Sequence, residues 1–300
     1  MTRKTKMQLP ISMLNIAAPA PKQAWSLPAA LNLILGGTAA GYYLLRTLSA
    51  QIMHSPSSLS AGLLAISLVL AGFVAVALEA GRPFRARYLF SHWKSSWMSR
   101  EAITGIFFIL AVLTDVLTTS PTVAKIAAIA GLAFMSSQGM MVFRCTAIPI
   151  WRDPVMPLLL ISSGLAAGYG LLLFNRFGLI LPPIGVAFHI DAIGLTSLIL
   201  NTVAWCVLIW RRYKDADIRT VIRRLRPAIV VIVIGGGQLL PAFLLLALRP
   251  WSLDVTEHIR LLLVPMAALT VLAGNFAQKF LLVRVMQYVC SMRLDGEKWK

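Results

Sequence analysis

Two carboxylates and a group of cations stand close together at an apolar boundary. The segment runs Glu79-Ala-Gly81-Arg82-Pro83-Phe84-Arg85-Ala86-Arg87 and resumes as Ser96-Trp97-Met98-Ser99-Arg100-Glu101. Long apolar runs precede and follow it. A carboxylate at such a boundary can take up or release a proton. A guanidinium can hold its charge or polarise a carbonyl, and an indole can stack on a flat ring. Glu79 therefore reads as a proton-transfer group. Gly81, Arg82, Arg85, Trp97, Arg100 and Glu101 read as the surrounding binding region. Glu101 also has a plain structural role, because it opens a helix, where the dipole favours an acid and Ser99 can cap. Glu79 closes a helix, where the dipole opposes it, so it requires Arg82, Arg85 or another cation nearby. A structural ion pair stands beside the catalytic reading with equal weight.

Other polar residues are weaker candidates. The cysteines Cys145, Cys206 and Cys290 show no paired spacing, and no HExxH sequence occurs, so no metal site is expected in this chain. Membrane haem takes axial histidines from helices. Of His54, His92, His189 and His258, only His189 lies well inside an apolar run, so no haem is expected either. His189 and Asp191 are two residues apart and point to different helix faces. Asp115 and Lys125 either pair across a helical hairpin or face water. Gln138, Asn201 and Asn275 read as hydrogen-bonding glue between helices. The run Gly235-Gly-Gly-Gln-Leu-Leu-Pro241 breaks an apolar segment and permits close approach of a helix or ligand. It is not a phosphate loop, since no Gly-Lys-Ser/Thr follows.

The elements that position these groups are membrane helices. The chain is 58% hydrophobic and 13% charged, with mean hydropathy +0.77. A soluble domain carries roughly 25% charged residues. A spanning helix needs about 20 mostly apolar residues. The expected spans are Leu27–Leu48, Leu59–Leu78, Ala102–Thr119, Val123–Val142, Val155–Phe174, Val186–Trp210, Ala228–Leu248 and Ile259–Phe280. The fold class is all-α: a polytopic membrane protein of about eight transmembrane helices, a number that suits two four-helix bundles. Residues 1–26 form an N-terminal tail that lies on the membrane uncleaved, 27–280 the transmembrane domain, and 281–300 a C-terminal tail.

The net charge of +17 would suggest nucleic acid on a soluble protein. Here the cations sit in short connections, so they report topology and contact with anionic lipid or an acidic partner, with no nucleic acid. Of 28 Lys and Arg, only Arg46, Lys125, Arg176, Arg249 and Arg260 fall on one side. The rest fall in the N-terminal tail, the even connections and the C-terminal end, where Lys279, Arg284, Arg293, Lys298 and Lys300 lie. Both termini are therefore expected in the cytoplasm. The basic sixth connection, Arg211 to Arg226, reads equally as a lipid-headgroup contact and as a docking surface.

The pattern Glu79-x-Gly81-Arg82-Pro83-x-Arg85-Ala86, followed by Ser96-Trp97-x-Ser99-Arg100-Glu101, resembles the membrane anchor subunits of the dimethyl sulfoxide reductase family, within the wider polysulfide reductase/NrfD-like group. The stretch Arg144-Cys-x-x-Ile148-Pro149-x-Trp151-Arg152-x-Pro154 is similar to that family's connection after its fourth helix. The resemblance implies a three-subunit complex in a bacterial inner (cytoplasmic) membrane. A molybdopterin catalytic subunit and an iron–sulfur electron-transfer subunit would dock on this anchor, which would react with ubiquinone or menaquinone without haem. The family often has histidine where this chain has Glu79, a departure that bears on substrate and quinone type. The motif falls on the side assigned to the cytoplasm, which within the family suits the anchor of a cytoplasmic sulfite-oxidising complex, the branch favoured here, or of a phenylacetyl-CoA:acceptor oxidoreductase. A small-solute transporter and a purely structural anchor are the alternative readings.

Overall fold

The computed structural model describes residues 25–53, 59–79, 90, 93–176, 184–247 and 257–287. Among them every regular element is helical. The helices are α1 (Leu27–Met53), α2 (Leu59–Glu79), α3 (Trp97–Thr118), α4 (Pro121–Phe143), α5 (Met156–Arg176), α6 (Ile184–Arg212), α7 (Ala216–Pro227), α8 (Leu240–Ala247) and α9 (Glu257–Phe280). A wide-turn π stretch, Ala228–Leu239, joins α7 to α8, and a second, Leu281–Val285, extends α9. Seven helical segments are long and apolar enough to cross a membrane. Among the described residues α1, expected as a span over Leu27–Leu48, is not one of the seven; it packs on α2, α4, α5 and α9. It lies among other helices rather than against lipid, so its lower apolarity costs little. Side chains that face lipid are large and apolar, such as Val231, Ile199 and Phe243, as an apolar solvent requires.

The third span begins at Trp97, five residues before the expected start, and this changes the setting of Glu101. Ser96, not Ser99, is the N-cap, its Oγ accepting the Ser99 N–H at 3.4 Å. Glu101 thus lies beyond the first turn, inside the bundle rather than at its boundary.

Helices α3 and α4 form the expected tight hairpin. Thr119 closes α3 in the left-handed region, with φ 49°, and donates its N–H to Asp115 O at 2.7 Å. Pro121 then opens α4, where its missing N–H is no loss. A β-branched residue in that region is strained by about 1–2 kcal/mol. Thr119→Gly is therefore expected to raise stability by about 1 kcal/mol, measurable as a higher thermal midpoint in detergent.

Helices α1 and α5 meet backbone to backbone. A Cβ on Gly41 would overlap the Gly164 carbonyl, and one on Gly168 would overlap the backbone of Gly41 and Tyr42. The spacing Gly164-x-x-x-Gly168 removes side chains along one stripe, which is how helices approach in lipid. On α1–α4, Phe73, Phe108, Phe134 and Tyr43 interlock, with Tyr43 edge-on to Phe108 at 5.8 Å.

A second apolar cluster closes the end where the first and last described residues meet. Trp25 N donates to Gln287 Oε1 at 2.8 Å, and Gln287 Nε2 returns a bond to Trp25 O at 3.0 Å. Trp25 packs edge-on against Trp151 of the fourth connection, whose indole N–H donates to Leu282 O at 3.1 Å. Asp153 from that connection is buried and accepts from Arg211 Nε at 2.9 Å, with Arg212 Nε at 3.4 Å. The first and last described residues and the fourth and sixth connections thus share one end of the bundle.

The sixth connection is more ordered than its charge suggested. Its second half is the amphipathic helix α7. Ile218 and Ile222 are buried in that second cluster with Val221 and Leu225 partly covered, while Arg223, Arg224 and Arg226 face outward. The apolar positions recur at helical spacing, a signal hidden beneath the arginines.

Candidate functional site

Of the expected site residues, Gly81, Arg82 and Arg85 lie outside the described residues. Glu79 ends α2 and is exposed. Trp97 and Arg100 lie together on the first turn of α3, the guanidinium 4.3 Å from the indole centroid. Arg100 also donates to the carbonyls of Trp93 and Lys94, at 3.0 and 2.6 Å. It therefore holds the entry loop against α3.

Glu101 is different. It is 4% exposed, and its Oε1 accepts from Asn32 Nδ2 at 2.8 Å and from Gln138 Nε2 at 3.3 Å. Three helices thus converge on one carboxylate: α1, α3 and α4. Asn32, which donates to the carboxylate, and Ser99, two residues away on another face of α3, carry polar atoms left over. Asn32 Oδ1 and Ser99 Oγ are buried without a hydrogen-bond partner among the described residues. Asn32 Oδ1 turns toward Gly72 of α2, where a Cβ would stand 3.0 Å away. Buried polar atoms without partners cost about 1–3 kcal/mol each, so such a group in an apolar bundle suits a polar ligand.

Lys279 was counted among the cations of the C-terminal end. It is instead 1% exposed, inside the bundle on α9, with Nζ donating to Leu33 O at 3.2 Å. The approach is made by glycine: a Cβ on Gly37 would stand 2.8 Å from Nζ and 3.6 Å from Gln138 Oε1. On the neighbouring Gly36, a Cβ would stand 2.7 Å from Gln138 Nε2. Sequence reasoning missed this lysine because it sits near the end of an apolar run, where the positive-inside pattern absorbed it. The paired Gly36-Gly37 one helix away was the available signal.

The next residues on α9 continue the polar layer. Asn201 Nδ2 donates to Gln278 Oε1 at 2.8 Å and to Asn275 Oδ1 at 3.2 Å, and Gln278 Nε2 returns a bond to Asn201 Oδ1 at 3.0 Å. Ser162 and Ser163 of α5 complete it. These amides satisfy one another, which is the structural role expected of Asn201 and Asn275. Gln138 does more, since it serves a carboxylate. Gln238 is buried with neither amide atom bonded among the described residues. It follows Gly237, whose backbone lies directly against Gly274.

The opposite end of the bundle holds Asp115, buried and accepting from the Tyr43 hydroxyl at 2.5 Å. Lys125 is exposed, so the acid is held by the bundle and does not simply face water. Asp191 accepts from the Tyr169 hydroxyl at 2.9 Å. His189 and His258 fall on α6 and α9 with side chains outside the description, as do His54 and His92 altogether.

Two groups outside the spans have shifted acidity. Burial pushes the Cys145 thiol up, so it is a poor nucleophile. The Tyr213 phenol is lowered, first by the hydrogen bond from Arg223 Nε, at 3.1 Å, and then by nearby arginine charge. Its phenolate is favoured in the folded chain, so that contribution is present above the unfolded value and is lost as pH falls through the folded one. Tyr213 is therefore expected to ionise at lower pH than in Arg223→Gln, read as phenolate absorbance against Tyr213→Phe.

No protein-family model matches the chain, and no curated protein matches it.

Proposed function

We propose that this chain is the membrane anchor and quinone-reactive subunit of an oxidoreductase complex. The carrying observation is Glu101, a carboxylate inside a membrane bundle, held by two amides, one of which keeps a buried Oδ1 without a partner among the described residues. Intramembrane ionisable residues mark ligand and proton sites by default. Quinone reduction consumes two electrons and two protons, and quinol oxidation returns them. A partner's iron–sulfur cluster would supply or accept the electrons. This chain's residues would handle the protons and orient the ring. Asn32 Oδ1 suits acceptance from a quinol hydroxyl. Glu101 serves as the inner proton group and the exposed Glu79 as the exchange with water. The Trp97–Arg100 stack closes the entry.

The motif resemblance supports a molybdopterin catalytic subunit as the further partner, with sulfite oxidation on the cytoplasmic side as its activity. The end bearing Trp25, Gln287 and α7 would face the cytoplasm by its arginine and lysine content. A test is titration of the purified chain in lipid nanodiscs with decylubiquinone and a menaquinone analogue, followed by tryptophan fluorescence. Saturable binding near one per chain, weakened by Glu101→Gln, is expected. Absence of saturable binding by either quinone contradicts the reading.

The second reading is a small-solute transporter. It is favoured by the π stretch Ala228–Leu239, where Gln238, its amide unbonded among the described residues, follows the Gly237–Gly274 contact. Transporters place ligands at such irregular helices.

A further inference from the structure

We propose that the junction of α6 and α7 is a binding site for the headgroup of an anionic phospholipid, built from Trp210, Tyr213, Lys214, Arg219 and Arg223. The site is independent of the quinone reading.

The cations are concentrated first by sequence and then by the fold. Arg211 to Arg226 holds seven Lys and Arg against Asp215 and Asp217. Arg211 and Arg212 are taken up by the buried Asp153, and Arg212 also lies 3.5 Å from Asp215. Lys214, Arg219 and Arg223 have no carboxylate partner among the described residues. They are held by aromatic rings instead. Lys214 Nζ stands 5.2 Å from the Trp210 ring centroid. The guanidinium carbons of Arg219 and Arg223 stand 5.5 and 6.0 Å from the Tyr213 centroid. Arg223 Nε donates to the Tyr213 hydroxyl at 3.1 Å. Arg219 donates to the carbonyls of Tyr213 and Lys214 at 2.9 and 3.1 Å. Contacts of this kind fix a cation in place without neutralising it. Both terminal nitrogens of Arg223 stay free for an acceptor among the described residues, in the fork that suits a phosphate. Arg226, one turn beyond Arg223, is exposed, and its charge also reaches the Tyr213 phenol.

The surface leading to these cations identifies what they meet. On α6, Ile199, Val203, Cys206 and Trp210 recur at helical spacing and are all exposed. In a membrane helix such a stripe faces acyl chains. Tyr213 continues the last turn, its N–H bonding Ile209 O at 2.8 Å, so it follows Trp210 on the same side. The stripe thus passes from aliphatic side chains to an indole and then to cations. Acyl chain, interface and phosphate come in that order in a phospholipid. The apolar face of α7, at Ile218 and Ile222, is turned into the bundle, which leaves Arg219 and Arg223 to the side where α6 ends. A soluble acidic partner would need neither the apolar stripe nor the indole that closes it. The excess of cations selects an anionic headgroup, because a choline would add one more positive charge.

The experiment is native mass spectrometry of the full chain, delipidated in mild detergent and titrated with phosphatidylglycerol or phosphatidylcholine. Wild type is expected to retain phosphatidylglycerol saturably, at about one per chain, and to bind phosphatidylcholine more weakly. Arg219→Gln/Arg223→Gln is expected to weaken phosphatidylglycerol about thirtyfold, roughly fivefold per cation. Lys94→Gln/Arg224→Gln removes the same charge away from the site and is expected to match wild type. Equal losses in the two pairs, or no loss in Arg219→Gln/Arg223→Gln, overturn the proposal. Should that pair fail to fold, Arg223→Gln alone decides, with about a fivefold loss expected and no loss overturning the site. Displacement of phosphatidylglycerol by millimolar inorganic phosphate would make this a free-phosphate site and overturn the lipid assignment. If Arg219→Gln/Arg223→Gln keeps its lipid but sheds subunits that co-purify with wild type, the surface docks protein and the lipid proposal falls.

Discussion

Glu101→Gln in the intact complex is expected to lower quinone-coupled turnover about 100-fold, the lower range for loss of a positioned acid–base group. Electron transfer from substrate to an artificial dye is expected to stay unchanged, because the dye bypasses the membrane site. The amide is nearly isosteric and retains a carbonyl oxygen for Asn32 Nδ2 and Gln138 Nε2, which now bind Glu101 Oε1 at 2.8 and 3.3 Å. Packing is thereby kept while the proton-carrying group is lost. Glu79→Gln, at the exposed end of α2, is expected to have a smaller effect, because water can replace an exchange group at a surface. Equal turnover in wild type and Glu101→Gln, with subunits retained, removes Glu101 from the mechanism.

Gly41→Leu is expected to abolish the folded chain. A Cβ there already overlaps the Gly164 carbonyl, which is backbone and has no rotamer to change. Overpacking a core commonly costs about 1–3 kcal/mol and sometimes more. Here α1 must separate from α5, and α1 is the helix on which α2, α4, α5 and α9 all rest. Size-exclusion chromatography in mild detergent should show aggregation and loss of the wild-type peak. Val231→Leu, on the lipid-facing π stretch where the side chain is 65% exposed, is expected to behave as wild type.

The spans were legible because lipid imposes a simple rule: apolar stretches of about 20 residues between Pro, Gly and charge. The Thr119-Ser120-Pro121 hairpin and the end of α2 at Glu79 follow from it. The same rule hid Trp97 to Arg100 as the first turn of α3, because a charge at position 100 reads as connection and placed the helix start at Glu101. The arginines of α7 likewise obscured an Ile218-Val221-Ile222-Leu225 stripe. Hydropathy weighs a residue by type, so Lys279 counted as a boundary cation. Its depth depends on which face of α9 meets Gly37, a tertiary fact. Asn201 and Asn275 were readable as interhelical amides because polar side chains inside a bundle must find one another. Their company with Gln278 was set by packing. The motif that carried the family resemblance divides physically. Among its described residues, Trp151 fastens one end of the bundle beside Asp153, Arg100 fastens the loop before α3, and Glu101 meets α1 and α4 in the interior.

The most direct measurement is gentle detergent purification of this chain from its native membrane, with mass spectrometry and metal analysis of what accompanies it. The account predicts stoichiometric iron–sulfur and molybdopterin subunits, together with reduction of added quinone by the assembly. A folded chain that arrives alone in good yield would contradict it.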